Sequence, residues 1–464
     1  MAAAAAICAV VAAPAGAGAA AAGAGAAAAG AGAAAAGARW TPPVEISAPN
    51  SIEVVGSQVA ASTAGATAVS FNEVNFDVQS TAAAFLALAS PGRSFAPARV
   101  VGQVQEVLAL AYSGSTLELM TAKSPAGQPC CTTVQVLRRG PHGKFSRPQT
   151  LVASVGGGAI GRLVALANGR LLAVVAGPQR LWVTEARGSG RFAKAKGLTR
   201  LGVAPNALAV TATPGGGSAV VWTQGSSQSV IGATGAPGAA PSKPRTLVRV
   251  AAGHVVDGLQ VAPLAAGSTA ARAARSTAAG AAGSTAAGAA GLTIGWTESW
   301  NDGSGAYHSQ AVAADLPGPG KPAHPRALSA PRAVASGLAL AADGSGDQVA
   351  AWDDCAAELC TVHGAVRKRD GRWFGASSRL GSIDDGDSPQ VIMAPDREAL
   401  TGWITGTQAV LAELRPGSSH FAAARRLSGM LAGSLDVGFG PSGEAVATWT
   451  QGTLNQDVFA SVLR

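Results

Sequence analysis

The residues of this chain best suited to chemistry gather between Glu298 and Asp353. The stretch ESWNDGSGAYHSQ, from Glu298 to Gln310, places Trp300, Tyr307 and His308 in a polar, glycine-containing loop that breaks the pattern of its surroundings. Aromatic rings beside a histidine and a carboxylate are the groups that contact a sugar or a peptide, and loops at the edge of a rigid scaffold are where such contacts arise. Glu298 and Asp353 both stand at the ends of apolar runs. Two such acids about 5 to 9 Å apart would serve glycoside cleavage, a separation that sequence alone does not fix.

Other clusters point to structure more than to reaction. SIDDGDSP brings together Asp384, Asp385 and Asp387, hard oxygen donors of the kind calcium takes, but the distal Glu of an EF-hand loop is missing and the segment reads as a solvated turn. Cys355 and Cys360 frame CAAELC between two expected strands, where a hairpin-closing disulfide fits. Cys130 and Cys131 occupy the corresponding loop of an earlier unit, either as a vicinal disulfide or as a remnant of the same staple. Without matching His or Cys partners these pairs do not make a zinc site, so neither a metal nor a cofactor is expected. The six histidines are scattered, with His142, His324 and His420 in turns, and no G-x-S-x-G elbow is present.

The elements that must hold these groups are strands. GSAVVWTQ at Gly217 returns with drift as GLTIGWTE from Gly291, DQVAAWDD from Asp347, EALTGWIT from Glu398 and GEAVATWTQ from Gly443. Alternating apolar and polar positions in these runs indicate half-buried antiparallel strands, four to a unit; in the sixth unit these are GLALAADG, DQVAAWDD, TVHGAVRKR and RWFGASSRL. Aligned on the tryptophan, the units place Phe71, Met120, Val175, Trp222, Trp296, Trp352, Trp403 and Trp449 at one position. The period is about 50 residues, a length that suits a four-stranded blade. One interval is longer, because a low-complexity insertion at 268–291, with its echo STAAGAAG, lies inside the fifth unit. The repeated tryptophans are expected to fill the space between blades, and Trp40 and Trp373 are expected to share a place in the fourth strand.

The two chain ends complement each other. The eighth unit stops at FASVLR without a fourth strand, and RWTPPVEIS, from Arg39 to Ser47, carries the missing piece. A ring closed in this way leaves no open sheet edge. The expected fold is therefore all-β, a β-propeller of eight four-stranded antiparallel blades, with seven as the alternative because the second and third units lack the tryptophan.

Composition sets the compartment and excludes some partners. Apolar residues make up 48% of the chain and charged residues 13%, with 61 glycines. Residues 1–38 are an Ala/Gly leader whose apolar run from Ile7 to Ala12 has the character of a secretory signal, although no basic residue precedes it. With the cysteine pairs, this suggests an exported protein whose propeller domain spans 39–464. No later stretch offers about 20 strongly apolar residues for a membrane-spanning helix. The net charge of +8 sits largely in turns such as RRGPHGK from Arg138 and RKRDGR from Arg367, which read as solvated surface. No basic motif interleaved with aromatics is present, which disfavours nucleic acid.

The repeats resemble those of secreted bacterial β-propeller proteins, with a distant similarity to the sialidase-like and WD40-like groups. The resemblance covers Arg39 to Arg464 and rests on strand period and recurring Trp. No copy has the sialidase S-x-D-x-G-x-T-W box, and Trp352-Asp353 is a lone dipeptide without the Gly-His partner of a WD40 blade. Neither Tyr112 nor Tyr307 sits in the acid and arginine setting that a sialidase nucleophile needs. The expectation is a non-catalytic scaffold that binds a protein, peptide or glycan at one face, through Trp300, Tyr307, His308, Glu298 and Asp353. The alternative is a divergent glycoside hydrolase or lyase that uses the strand-end carboxylates.

Overall fold

The computed structural model describes residues 39–47, 54–75, 81–101, 106–124, 132–264, 291–316, 324–439 and 444–463, apart from short breaks at 142, 167–168, 189, 214, 225–227, 332, 357–358, 385–386, 395–397, 430 and 453–455. The leader, Cys130, Cys131, His142, Asp385 and almost all of the low-complexity insertion lie outside these residues. Among the described residues there is no helix, and the strands form eight four-stranded antiparallel sheets, seven of them built from strands consecutive in sequence and the eighth from the last three strands and the first. The first strand of every sheet lies beside the first strand of the next, from the unit at Val54–Ala61 round to Ala432–Phe439 and back again. Eight sheets around one ring of inner strands make an eight-bladed β-propeller, which removes the seven-bladed alternative.

The position aligned on tryptophan lies in the second strand of all eight blades. Phe71, Met120, Val175, Trp222, Trp296, Trp352, Trp403 and Trp449 are each no more than 2% exposed. Alternation along a strand sends the residue before each of them to the opposite face. In blades 5 and 7 that residue is glycine. A Cβ on Gly295 would meet Leu340 Cδ1 at 2.5 Å, and one on Gly402 would meet Leu435 Cδ2 at 2.6 Å, both leucines coming from the inner strand of the following blade. Blades 5 and 7 thus offer a bulky ring on one face and a hollow on the other.

The last blade is built from both chain ends, as the sequence implies. Val44–Glu45 pairs with Ala460 and Phe459, and Trp40 bridges to Leu463. The Thr41 amide donates to the Val462 carbonyl at 2.8 Å, while the Ser461 hydroxyl donates to the Thr41 carbonyl at 2.7 Å. Near the axis the same seam is tied by Asp436, whose Oδ2 accepts from the Val59 amide of blade 1 at 3.0 Å and whose Oδ1 accepts from the Val437 amide. Burial pushes the Asp436 carboxyl up to about 7.

Two expectations change in detail. In blade 6 the outer strand is Ser378–Ile383, so Arg372 to Gly375 is a loop and not the start of a strand. An aromatic residue recurs in this loop, and the amide that follows it donates to the third strand: Ala96 to Leu88, Ser146 to Arg138, Ala193 to Glu185, Gly375 to Val366 and Ala422 to Glu413. Thr41 makes the same bond, so Trp40 matches Phe374, and Trp373 is one residue out of step. The Trp373-Phe374 doublet hides the shift from an alignment that matches tryptophan to tryptophan.

The basic turns are less solvated than their composition suggests. Arg367 is buried against Asp315 at 2.8 Å, and Arg138 Nε reaches the buried Glu118 at 2.9 Å. Arg138, Arg326 and Arg425 also lie over the rings of Phe192, Trp373 and Trp40 in the following blade, at 5.1 to 5.3 Å.

Trp403→Ala should cost about 3 to 5 kcal/mol in urea unfolding, because the wedge between blades 6 and 7 is emptied. Asp436 has a raised folded-state pKa, so its contribution is fully present in acid and is lost as pH rises through about 7. The stability difference between wild type and Asp436→Asn should therefore move in favour of wild type by roughly 1.4 kcal/mol per pH unit as pH falls from 7 towards 5. Parallel stability curves for the two proteins over that range would contradict this assignment.

Candidate functional site

In an antiparallel meander the turns between second and third strands open on the same face as the links between blades. Among the described residues, blade 5 stands tallest on that face. Its second and third strands, Leu292–Asn301 and Tyr307–Leu316, have ten residues each, whereas those of blade 4, Ser218–Gln224 and Ser229–Gly235, have seven. Beyond the tryptophan position the blade 5 strand runs three residues further than that of blade 4, an overhang of about 10 Å.

Trp296, Glu298 and Trp300 alternate onto the side of this hairpin that faces blade 4. Trp296 is buried among blade 4 side chains, Glu298 is half-buried, and Trp300 lies on the overhang. Pairing of Val255 with Ser299 sets His254 beside Trp300, and His308 is the direct cross-strand partner of Trp300 on the other side. Adjacent strands are about 4.8 Å apart, close to a stacking distance, so three flat rings in neighbouring strands stack naturally. His254 lies 4.6 Å from Trp300 with an interplanar angle of 3°, and His308 lies 5.3 Å away at 17°. Both faces of the indole are therefore covered by imidazoles.

Carboxylates hold the two imidazoles. His254 Nδ1 donates to Glu298 Oε1 at 2.6 Å, while Glu298 Oε2 accepts from Trp296 Nε1 at 3.2 Å. His308 Nε2 donates to Asp302 Oδ2 at 2.8 Å. The other oxygen of Asp302 accepts from the Ser304 hydroxyl and from the Ser304 and Ala306 amides, fixing the turn. The Ser304 hydroxyl, His308 and these amides hold the Asp302 carboxyl well below the usual carboxylate range. Tyr307 stands beside this assembly, 57% exposed.

The structure thus brings together Trp300, His308 and Glu298, with Tyr307 at the tip. Asp353 lies on blade 6 and is buried. Its oxygens accept from the Ser336 and Gly337 amides and the Ser336 hydroxyl, which anchors the link from blade 5 to blade 6. Thr223, one residue after Trp222, holds the Asn206 and Ala207 amides in the same way. Burial raises the Asp353 carboxyl, and these bonds oppose the rise.

Cys355 and Cys360 face each other across the blade 6 hairpin and are joined as a disulfide, with Cα atoms 3.9 Å apart. They and Asp353 are the group of potential metal-binding side chains among the described residues, and the disulfide takes both sulfurs. Val334 pairs with Ser309 of blade 5 and with Cys355 of blade 6, so the two tall hairpins are stitched into one wall. Asp384 accepts from the Gly406 and Thr407 amides of the blade 7 hairpin, and burial together with the charge of Asp384 pushes Asp387 up to about 6.

Sequence reasoning missed His254, which sits in an inter-blade link 44 residues before Glu298. Only the register between the inner and second strands of blade 5 would have revealed it. It also missed Glu106 and Asp257, near the start of the inner strands of blades 2 and 5, both raised by burial. Glu106 lines a small cavity of about 130 Å³ with Ser124, Thr132 and Gly157.

No family model matches the chain, and no curated protein matches it. Among solved structures it is similar to the polysaccharide lyase Uly1, with a TM-score of 0.48 and 10% identity over 81% of this chain and 91% of that one. It is also similar to the Hadza microbial sialidase Hz136, with a TM-score of 0.41 and 10% identity over 76% of this chain and 64% of that one. The Dos1 propeller gives a TM-score of 0.42 and 8% identity over 77% of this chain and 91% of that one. At these values the likeness bears on neither activity nor ligand.

Replacing Asp302 with Ala should speed amide hydrogen exchange at 303–308 while leaving the melting temperature within about a degree of wild type, since the turn is exposed and the blade below it is intact. A large fall in melting temperature would mean that the hairpin tip supports the ring.

Proposed function

We propose that the chain is an exported, non-catalytic propeller that holds a peptide or glycan, free or as part of a protein, against the step that blade 5 makes above blade 4. The observation that carries this reading is the ring stack of His254, Trp300 and His308, pinned by Glu298 and Asp302 and set beside exposed Tyr307. Order of this kind on an overhang costs conformational entropy that folding of the blade does not require, whereas binding gains from it. Export is supported by the disulfide, which suits an oxidising compartment.

The hydrolase or lyase reading draws less support. Glu298 is engaged by His254 and Trp296, and Asp353 by the Ser336 and Gly337 amides, so both acids it would use have structural partners.

Peptide and glycan arrays probed with the full chain should give a defined ligand whose affinity falls at least tenfold in Tyr307→Ala and Trp300→Ala. Trp222→Ala, assayed where it is folded, should leave that affinity unchanged. Retention of binding by both hairpin variants would move the site elsewhere on the ring.

A further inference from the structure

The fourth strands, and the turns that lead into them, carry charge of almost one sign. On the rung that passes through the residue before the buried tryptophan position, the outer strand holds Arg99 in blade 1, Lys196 in blade 3, Arg245 in blade 4, Arg326 in blade 5 and Arg425 in blade 7. Blade 6 has Ser378 there with Arg379 next to it, and the closing blade has Val44. A second set recurs in the turns. Arg93, Lys144, Arg191, Arg372 and Arg39 each stand one or two places before the aromatic residue of their turn, and all are exposed. Among the described residues of these turns and outer strands the acids are Glu45 and Asp370, and Asp370 pairs with Arg369.

Two members show where the rung side chains reach. Arg326 lies over the ring of Trp373 at 5.1 Å and Arg425 over that of Trp40 at 5.3 Å, each ring belonging to the turn of the following blade. Arg372 and Arg39 directly precede those rings in the chain, so at these junctions the two sets of cations meet. Like charges placed side by side repel unless an anion joins them. In blade 7 the anion is internal, because Glu413, two residues past the rung in the third strand, pairs with Arg425. Asp315 stands at the same place in blade 5, but Arg367 of blade 6 takes it at 2.8 Å. Arg326 is left exposed against its indole with no ion-pair partner among the described residues, and Arg99, Lys196 and Arg245 have none there either.

We propose that the outer rim of the ring is a docking surface for an acidic polysaccharide, whose sulfate or carboxylate groups are taken in succession by these arginines and lysines. A guanidinium edge matches two oxygens of either group. Cations that recur blade by blade suit a partner that repeats its own charge along a flexible chain. A flat bilayer or a stiff duplex meets a curved wall along one arc only, and no aromatic ring exposed among the described residues of these strands offers a platform for bases. Val100 is the large hydrophobic residue exposed on them, which leaves no cluster of anchors for a protein partner. The turns between third and fourth strands open on the face opposite the blade 5 hairpin, so this surface and the blade 5 step can fail independently.

The test is calorimetric titration of the full chain with dextran sulfate and with polygalacturonate, uncharged dextran serving as the control. Wild type should bind at least one acidic polymer and not dextran, with an affinity that falls about tenfold or more between about 50 and 200 mM NaCl as counterions are released. The comparison of the two polymers assigns the charged group. Arg99→Gln/Lys196→Gln/Arg245→Gln/Arg326→Gln should bind at least tenfold more weakly. Lys123→Gln/Arg180→Gln/Arg200→Gln/Arg249→Gln removes the same charge at the other end of the blades and should stay within about twofold of wild type. Absence of binding in wild type, or equal losses in the two variants, would overturn the proposal, as would tighter binding to duplex DNA or to phosphatidylglycerol vesicles than to either polymer. Should the first variant fail to fold, Arg93→Gln/Lys144→Gln/Arg191→Gln/Arg372→Gln takes its place, since these side chains are exposed in turns, and wild-type affinity there would overturn it as well.

Discussion

Every blade of this ring has two apolar faces, and only its neighbours can cover them. Tryptophan on one face and a hollow on the other, at Trp296 with Gly295 and at Trp403 with Gly402, make the contacts of blades 5 and 7 directional. A linear stack of such units would leave one face bare at each end. Closing the ring removes both bare faces together, which is why the N-terminal segment at Trp40 to Glu45 completes the sheet that ends at Leu463. The Asp436 latch to Val59 marks the same seam from the inside. Ring closure is thus the constraint on which the rest of the structure depends.

A ring held at its centre leaves the hairpins on one face free to differ in length. Blade 5 uses that freedom most, and the strand ladder dictates what the extension can display. Three neighbouring strands can present three rings at stacking distance without distorting the backbone, and His254, Trp300 and His308 occupy those places. Glu298 has a double part. As the residue two after the tryptophan it accepts the Trp296 indole N–H, as Gln451 does for Trp449, and its second oxygen holds His254. A structural position common to the blades has thereby become part of a surface assembly.

Much of the fold was legible from residue spacing. The recurring tryptophan gave the blade count even where Phe71, Met120 and Val175 replace it, because position in the repeat survives when identity does not. Closure was legible because one end lacked what the other supplied. The hairpin disulfide followed from Cys355 and Cys360 flanking a short turn. The ring stack was legible only in part, since Trp300 and His308 share a hairpin whereas His254 arrives through a different pair of strands. The role of Asp353 was not legible, because a carboxylate at a strand end looks the same whether it faces solvent or caps the loop before the next inner strand.

Inner strands carry bulges between Val55 and Gln58, Val107 and Ala109, and Asp257 and Gln260, and each bulge adds residues that break the period-2 pattern near the strand start. Past the bulge the count is regular in six blades, where the inner-strand residue opposite the one before the tryptophan position stands 13 places ahead of that position, as Arg162 does of Val175 and Asp436 of Trp449. In blade 5 the insertion hides the match, because it separates Gln260 from Trp296. The net charge of +8 needs the structure in the same way. Arg138 and Arg170 are spent on carboxylates of their own blades, Arg367 on Asp315 of the preceding blade, and Arg326 and Arg425 lie over aromatic rings of the following blade. These arginines report on how the strands and blades are bonded to one another.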